Sequence, residues 1–178
     1  MAKGMEYKYP EEMQAELVVD IVISLDRILN EKGISRSEFA KKIGRSESYV
    51  TRLMRGNPNI TVREIANIAC ALEREATNTS QEEIHNPMKA YVNTSVNMAI
   101  TISDTLKNRG ITETEFAEKI GHSKSYAIRL LRGESNFNMA TLANIAYALD
   151  MYPTVNLSRD KTPEGKLVSL SESASRYS

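Results

Sequence analysis

Tryptophan is absent from this 178-residue chain, cysteine occurs once and histidine twice. Each shortage excludes something. Cys70 alone allows neither an intrachain disulfide nor a cysteine-based metal cluster, and it reads as a small buried hydrophobe. Two histidines, His85 and His122, with no glycine-rich phosphate loop, form no constellation for catalysis or metal ligation. The expectation is therefore no enzyme, no metal and no cofactor. Long apolar runs are missing as well. The longest, LVVDIVISL at 17–25, is interrupted by Asp20 and falls short of a membrane span. The opening MAKGMEYKYPEEMQ has no apolar core of a signal peptide. These features predict a cytoplasmic protein with no membrane partner.

An excess of charge is lacking too, since 23 Lys and Arg balance 23 Asp and Glu. Distribution matters more than the sum. Between Ile34 and Glu73 the bases Arg36, Lys41, Lys42, Arg45, Arg52, Arg55 and Arg63 exceed Glu38, Glu47, Glu64 and Glu73, a local charge of roughly +3. The stretch 111–150 comes to roughly −1. By charge alone, the first stretch suits a polyanion and the second does not.

What the chain does contain is an internal repeat. An offset of about 77 residues aligns 34–73 with 111–150 without a gap, with about half the positions identical. GRSESYVTRLMRG at 44–56 returns as GHSKSYAIRLLRG at 121–133. Upstream, each repeat has a long helical pattern that stops at a glycine, Gly33 or Gly110. Ser35 with Glu38, and Thr112 with Glu115, form capping boxes that open a short second helix. Ile34 with Phe39, and Ile111 with Phe116, hold the staple positions beside them. These helices run to about Ile43 and Ile120, where Gly44 and Gly121 permit a sharp turn. Ser46 and Ser123 cap a third helix. A fourth starts near Thr61, with Glu64 as box partner, and near Asn138 in the second repeat. Its apolar stripe is Ile65, Ile68, Ala69 and Leu72, then Leu142, Ile145, Ala146 and Leu149.

On the third helix Val50, Leu53 and Met54 face one side, while Glu47, Ser48, Thr51, Arg52 and Arg55 face the other. A capped helix, a glycine turn and a second helix with an exposed polar face make a helix-turn-helix. The order Ala40, Gly44, Val50, Leu53, repeated as Ala117, Gly121, Ala127, Leu130, resembles the lambda repressor and Cro superfamily, the xenobiotic-response-element type. The resemblance covers about two thirds of the chain. Ala127 departs from it, since Val or Ile is usual there, and predicts a looser helix crossing.

The resemblance implies an all-α fold of two tandem helix-turn-helix domains that bind double-stranded DNA, with the third helix in the major groove. It implies base readers at Glu47, Ser48, Thr51 and Arg52 in repeat one. In repeat two they are Lys124, Ser125, Ile128 and Arg129. Arg52 or Arg129 could pair bidentately with guanine, Glu47 could accept from cytosine and Ile128 could meet a thymine methyl. Arg55 and Arg132 match phosphate-touching positions, as does Arg36, whose counterpart Glu113 phosphate would repel. Arg45, Ser46 and Ser123 at the turns complete the DNA-facing set.

The domain boundaries read as 11–76 and 91–153, with a linker at 77–90 and a tail at 154–178. In the tail, TVNLS and KLVSL form a small β-hairpin around Pro-Glu-Gly, and the last residues are Ser-rich and disordered. A repressor acting by promoter occlusion is the simplest function. An antitoxin with a toxin partner and autorepression, or a protein-interaction scaffold, are the alternatives. Glu113, Glu115 and Glu118 leave a protein-contact or structural role for repeat two as the alternative to DNA reading, and an exposed Ile128 fits a protein interface as well as a thymine. Tyr49 and Tyr126 either pack on the fourth helix or touch the DNA backbone. The apolar surface of 17–25 exceeds one helical stripe, so part of it meets the other repeat or the second chain of a homodimer.

Overall fold

A computed structural model describes residues 7–57, 59–73, 86–155, 157 and 168–172. Eight helices and one two-stranded sheet occupy them. Repeat one holds α1 (Pro10–Lys32), α2 (Arg36–Lys42), α3 (Glu47–Met54) and α4 (Val62–Glu73). Repeat two holds α5 (Pro87–Asn108), α6 (Glu113–Lys119), α7 (Lys124–Leu131) and α8 (Met139–Ala148). The local rules that predict these elements are satisfied in the structure. Both capping boxes close reciprocally, Ser35 with Glu38 and Thr112 with Glu115. Gly33 ends α1 at φ 66° and Gly44 turns the chain at φ 64°, a left-handed region costly for a residue with a Cβ. Asn138 caps α8 by accepting the Thr141 amide at 2.8 Å. Cys70 is buried.

Each first helix is longer than its own repeat needs. In both repeats its C-terminal end meets the end of the fourth helix: Lys32 Nζ donates to the Leu72 carbonyl at 2.8 Å, and Arg109 does the same to Leu149. The N-terminal ends cross to the other repeat. α1 packs on α8 and, reciprocally, α5 packs on α4. The Tyr147 hydroxyl donates to the Lys8 carbonyl at 3.1 Å, while Arg63 of α4 lies 4.3 Å from the centre of the Tyr91 ring of α5. This exchange accounts for the extra apolar surface of α1. Leu17, Val18, Ile21 and Leu25 are buried, while Val19 and Ile23 stay exposed. One continuous apolar core therefore runs through both repeats.

Between the third and fourth helices the two repeats also share backbone hydrogen bonds. The Val62 amide donates to the Phe137 carbonyl at 2.8 Å, and the Met139 amide donates to the Ile60 carbonyl at 3.2 Å. Val62 and Met139 are counterparts, as are Ile60 and Phe137. Thr61 and Asn138, also counterparts, face each other as an antiparallel bridge. A residue that pairs antiparallel with its own counterpart lies on a two-fold axis. The repeats are thus related isologously, as subunits of a symmetric dimer are.

The tail hairpin exists, with strand bounds shifted from the expected segments. β1 (Met151–Val155) leaves α8 after Asp150, which takes φ 47°, and pairs antiparallel with β2 (Val168–Glu172). Strand pairing starts at Met151, earlier than TVNLS, where that side chain is buried with its Sδ 3.7 Å from the Thr105 hydroxyl of α5, which itself donates to the Thr101 carbonyl at 2.8 Å. Pro153 is tolerated because a two-stranded sheet has only edge strands. The Pro-Glu-Gly turn, the Ser-rich end, His85 and most of the expected linker lie outside the described residues. Asn86, within that stretch, caps α5 through the amides of Met88 and Lys89.

The shared core predicts one cooperative transition. Phe137, fully buried and bonded through its carbonyl to repeat one, should cost about 3–5 kcal/mol when changed to Ala. Calorimetry should show the whole chain shifting together; two separable transitions would contradict the shared core. The boxes make a second prediction. The Ser35 amide and hydroxyl hold Glu38 below its ordinary pKa, and those of Thr112 do the same for Glu115. An acid whose pKa falls on folding contributes stability above its unfolded value and loses it as pH drops through the folded one. Changing both to Gln, which resembles the protonated acid, should therefore lower Tm at neutral pH, leave it nearly unchanged at low pH and so flatten the acid limb of a Tm–pH curve. An unaltered acid limb would show that the boxes do not govern it.

Candidate nucleic-acid interface

The turn from α2 to α3 sets the geometry of the first face. Ser46 accepts the Tyr49 amide at 3.2 Å, so α3 starts at Glu47. Val50 and Leu53 are buried against α1 and α2, which fixes the rotation of the helix about its axis. That rotation leaves Glu47, Ser48, Arg52 and Arg55 exposed and Thr51 half-buried. Arg36, Arg45 and Ser46 are exposed on the same α2–turn–α3 unit. Ser37 of α2 donates to Glu47 Oε1 at 2.7 Å, bracing that carboxylate across the angle between the helices.

Tyr49 settles its two readings in favour of the fourth helix. Its hydroxyl donates to Glu64 Oε1 at 2.9 Å. The other oxygen of Glu64 receives the Thr61 amide at 2.9 Å and the Thr61 hydroxyl at 3.1 Å, the box expected there. Two guanidinium groups flank the ring, Arg45 at 5.4 Å and Arg52 at 5.7 Å from its centre. Burial first, then the bond to Glu64, pushes the phenol up to about 12. Tyr49 is consequently a hydroxyl donor at any physiological pH.

The second face shares the backbone and differs in chemistry. Ser123 caps α7 through the Tyr126 amide at 3.3 Å, and Ala127 and Leu130 are buried. Lys124, Ser125, Arg129 and Arg132 are exposed and Ile128 is half-buried. Thr141 stands where repeat one has Glu64, so the carboxylate that anchors Tyr49 has no counterpart. Tyr126 instead lies against His122, ring centres 4.3 Å apart. Asn144 of α8 ties this region together by donating to the Ile120 carbonyl at 2.7 Å. Glu113 and Glu118 are exposed on α6 and keep the second face close to neutral.

One base counted towards the first face belongs elsewhere. Arg63 stacks on Tyr91 and its Nη1 reaches Met88 Sδ at 3.9 Å, so it serves the contact between repeats. Its sequence position could not reveal this, because the partner ring is on the other repeat. The Ser37–Glu47 and Tyr49–Glu64 bonds are likewise invisible to local patterns, although the capping box did mark Glu64 as oriented. Among the described residues no group of acidic, His or Cys side chains could hold a metal ion. No described helix is long and apolar enough to cross a membrane.

If the exposed bases meet phosphate, Arg55→Ala should weaken binding to every duplex and lower the salt slope by about one contact. Titrations at several salt concentrations check this, and an unchanged slope with intact affinity would remove Arg55 from the interface.

No match was found among curated proteins or solved structures. A helix-turn-helix family profile, HTH_3, matches twice, at residues 25–78 and 102–155, together more than half of the chain. Both matches begin in the middle of the long first helices, so the N-terminal parts that cross between repeats precede the matched region. The chain belongs to the helix-turn-helix family HTH_3, a family of DNA-binding, non-catalytic domains, and carries two copies of its domain.

Proposed function

We propose that this chain is a sequence-specific transcriptional repressor in the manner of the lambda repressor and Cro proteins. α3 and α7 each enter a major groove and the bound protein covers a promoter. Occlusion is the mechanism that asks for nothing beyond binding. The base readers are Glu47, Ser48, Thr51 and Arg52 in repeat one and Lys124, Ser125, Ile128 and Arg129 in repeat two. Arg36, Arg45, Arg55 and Arg132 hold phosphates.

The observation that carries this reading is the antiparallel bridge between Thr61 and Asn138. Helix-turn-helix dimers present two reading helices through a two-fold axis, so that their operators are inverted repeats. Here the second repeat supplies what a second subunit would. The same axis relates α3 to α7, which favours an inverted over a direct repeat. The half-sites are unlike, because Glu47 corresponds to Lys124 and Thr51 to Ile128. Repeat one, with the greater basic excess, supplies most of the affinity.

Selection from random DNA should return imperfect inverted repeats. Arg52→Ala should cost about 1–3 kcal/mol at one base pair of one half-site. Lys124→Ala combined with Arg129→Ala should relax preference in the other half-site only. A direct repeat, or a footprint and affinity untouched by the Lys124 and Arg129 changes, would overturn the two-headed reading.

A further inference from the structure

Glu64 uses its two oxygens for different tasks. Oε2 closes the capping box at the start of α4, accepting from Thr61, while Oε1 accepts from Tyr49 on α3. Thr61 is also the residue bridged to Asn138 at the contact between repeats. A short chain of bonds therefore joins the inter-repeat axis, the start of α4 and the first turn of the reading helix. Tyr49 lies in a crevice with Ile43, Asn67 and Ile68, and its ring flanks two guanidinium groups. A long arginine side chain on an exposed helix samples many rotamers, and ordering it is an entropic cost of any bidentate contact. A fixed aromatic face nearby narrows that sampling before DNA arrives.

We infer that Tyr49, anchored by Glu64, is a positioning residue that pre-orients Arg52 and so sets the sequence discrimination of repeat one. This rests on the reading of Arg52 as a base contact. Neither residue needs to touch DNA. Repeat two lacks the device, since Thr141 replaces Glu64 and His122 replaces Arg45. Its counterpart Arg129 has no such anchored ring, which places the sharper reading in repeat one.

The test is a double-mutant cycle on the full chain, with Tyr49→Phe, Arg52→Ala and their combination. Each protein is titrated on the selected operator, on that operator changed at the base pair Arg52 reads, and on unrelated duplex. Tyr49→Phe removes only the hydroxyl and should lower the operator-to-unrelated ratio roughly three- to tenfold, with unrelated-duplex affinity and salt slope preserved. In the Arg52→Ala background the same change should have almost no effect on the ratio. Glu64→Gln, which can still cap α4 and bond the phenol, should stay near wild type, whereas Glu64→Ala should reproduce Tyr49→Phe. Equal loss on all three duplexes, or an undiminished Tyr49→Phe effect without Arg52, would overturn the inference and leave Tyr49 a packing residue. If Arg52→Ala itself changes no base preference, the assignment of Arg52 as a reader fails, and that failure is distinct because it appears in the single variant.

Discussion

Thr61 and Asn138 face each other across the axis that relates the repeats, and the placement of every functional element follows from that juxtaposition. The segments before α4 and α8 meet as short antiparallel pieces of backbone, each giving one amide and taking one carbonyl. These donors and acceptors are buried with Ile60, Val62, Phe137 and Met139, where an unpaired amide would carry a penalty of about 1–3 kcal/mol. The pairing is thereby directional as well as adhesive. Hydrophobic burial alone would hold the repeats together without specifying their relative rotation, whereas the paired backbone specifies it.

The first helices build on that rotation. A helix that stopped at its own repeat would leave the join as a small backbone patch. Extending α1 over α8 and α5 over α4 adds two apolar contacts, one on either side of the axis. The family profile matches from residues 25 and 102, so the crossing halves lie before the matched regions. Ser95 Oγ and Ser135 Oγ are buried with no hydrogen-bond partner, at positions where repeat one has Val18 and Pro58.

Local features were legible in the sequence and distant ones were not. Both Ser/Thr–Glu boxes, the glycine turns, the buried Cys70 and the fourth-helix stripes depend on residues within a turn or two, and all are present as read. The exposed face of α3 followed from helical period, except that Thr51 is half-buried, while that of α7 was read from the resemblance, and Ile128 there is half-buried rather than exposed. Arg63 entered the charge count of repeat one, which does not tell which partner a base faces, and Tyr91 claims it from the other repeat. The hairpin was expected and its strand bounds were not, because burial of Met151 beside α5 brings the strand start forward. Tyr49 could not be assigned from sequence, because its partner is 15 residues away on another helix.

Joining both halves of a symmetric reader in one chain alters how it would respond to its own abundance. A repressor that must first dimerise is mostly monomer when scarce, so active species rise with the square of its concentration and fall away sharply on dilution. With the axis running through a single polypeptide, the second head is present whenever the first is. Under the proposed function, promoter occupancy by the single chain would grow in simple proportion to copy number, without the threshold that dimerisation imposes. The two reading surfaces are also encoded by separate codons, so either half-site preference can drift while the other is kept.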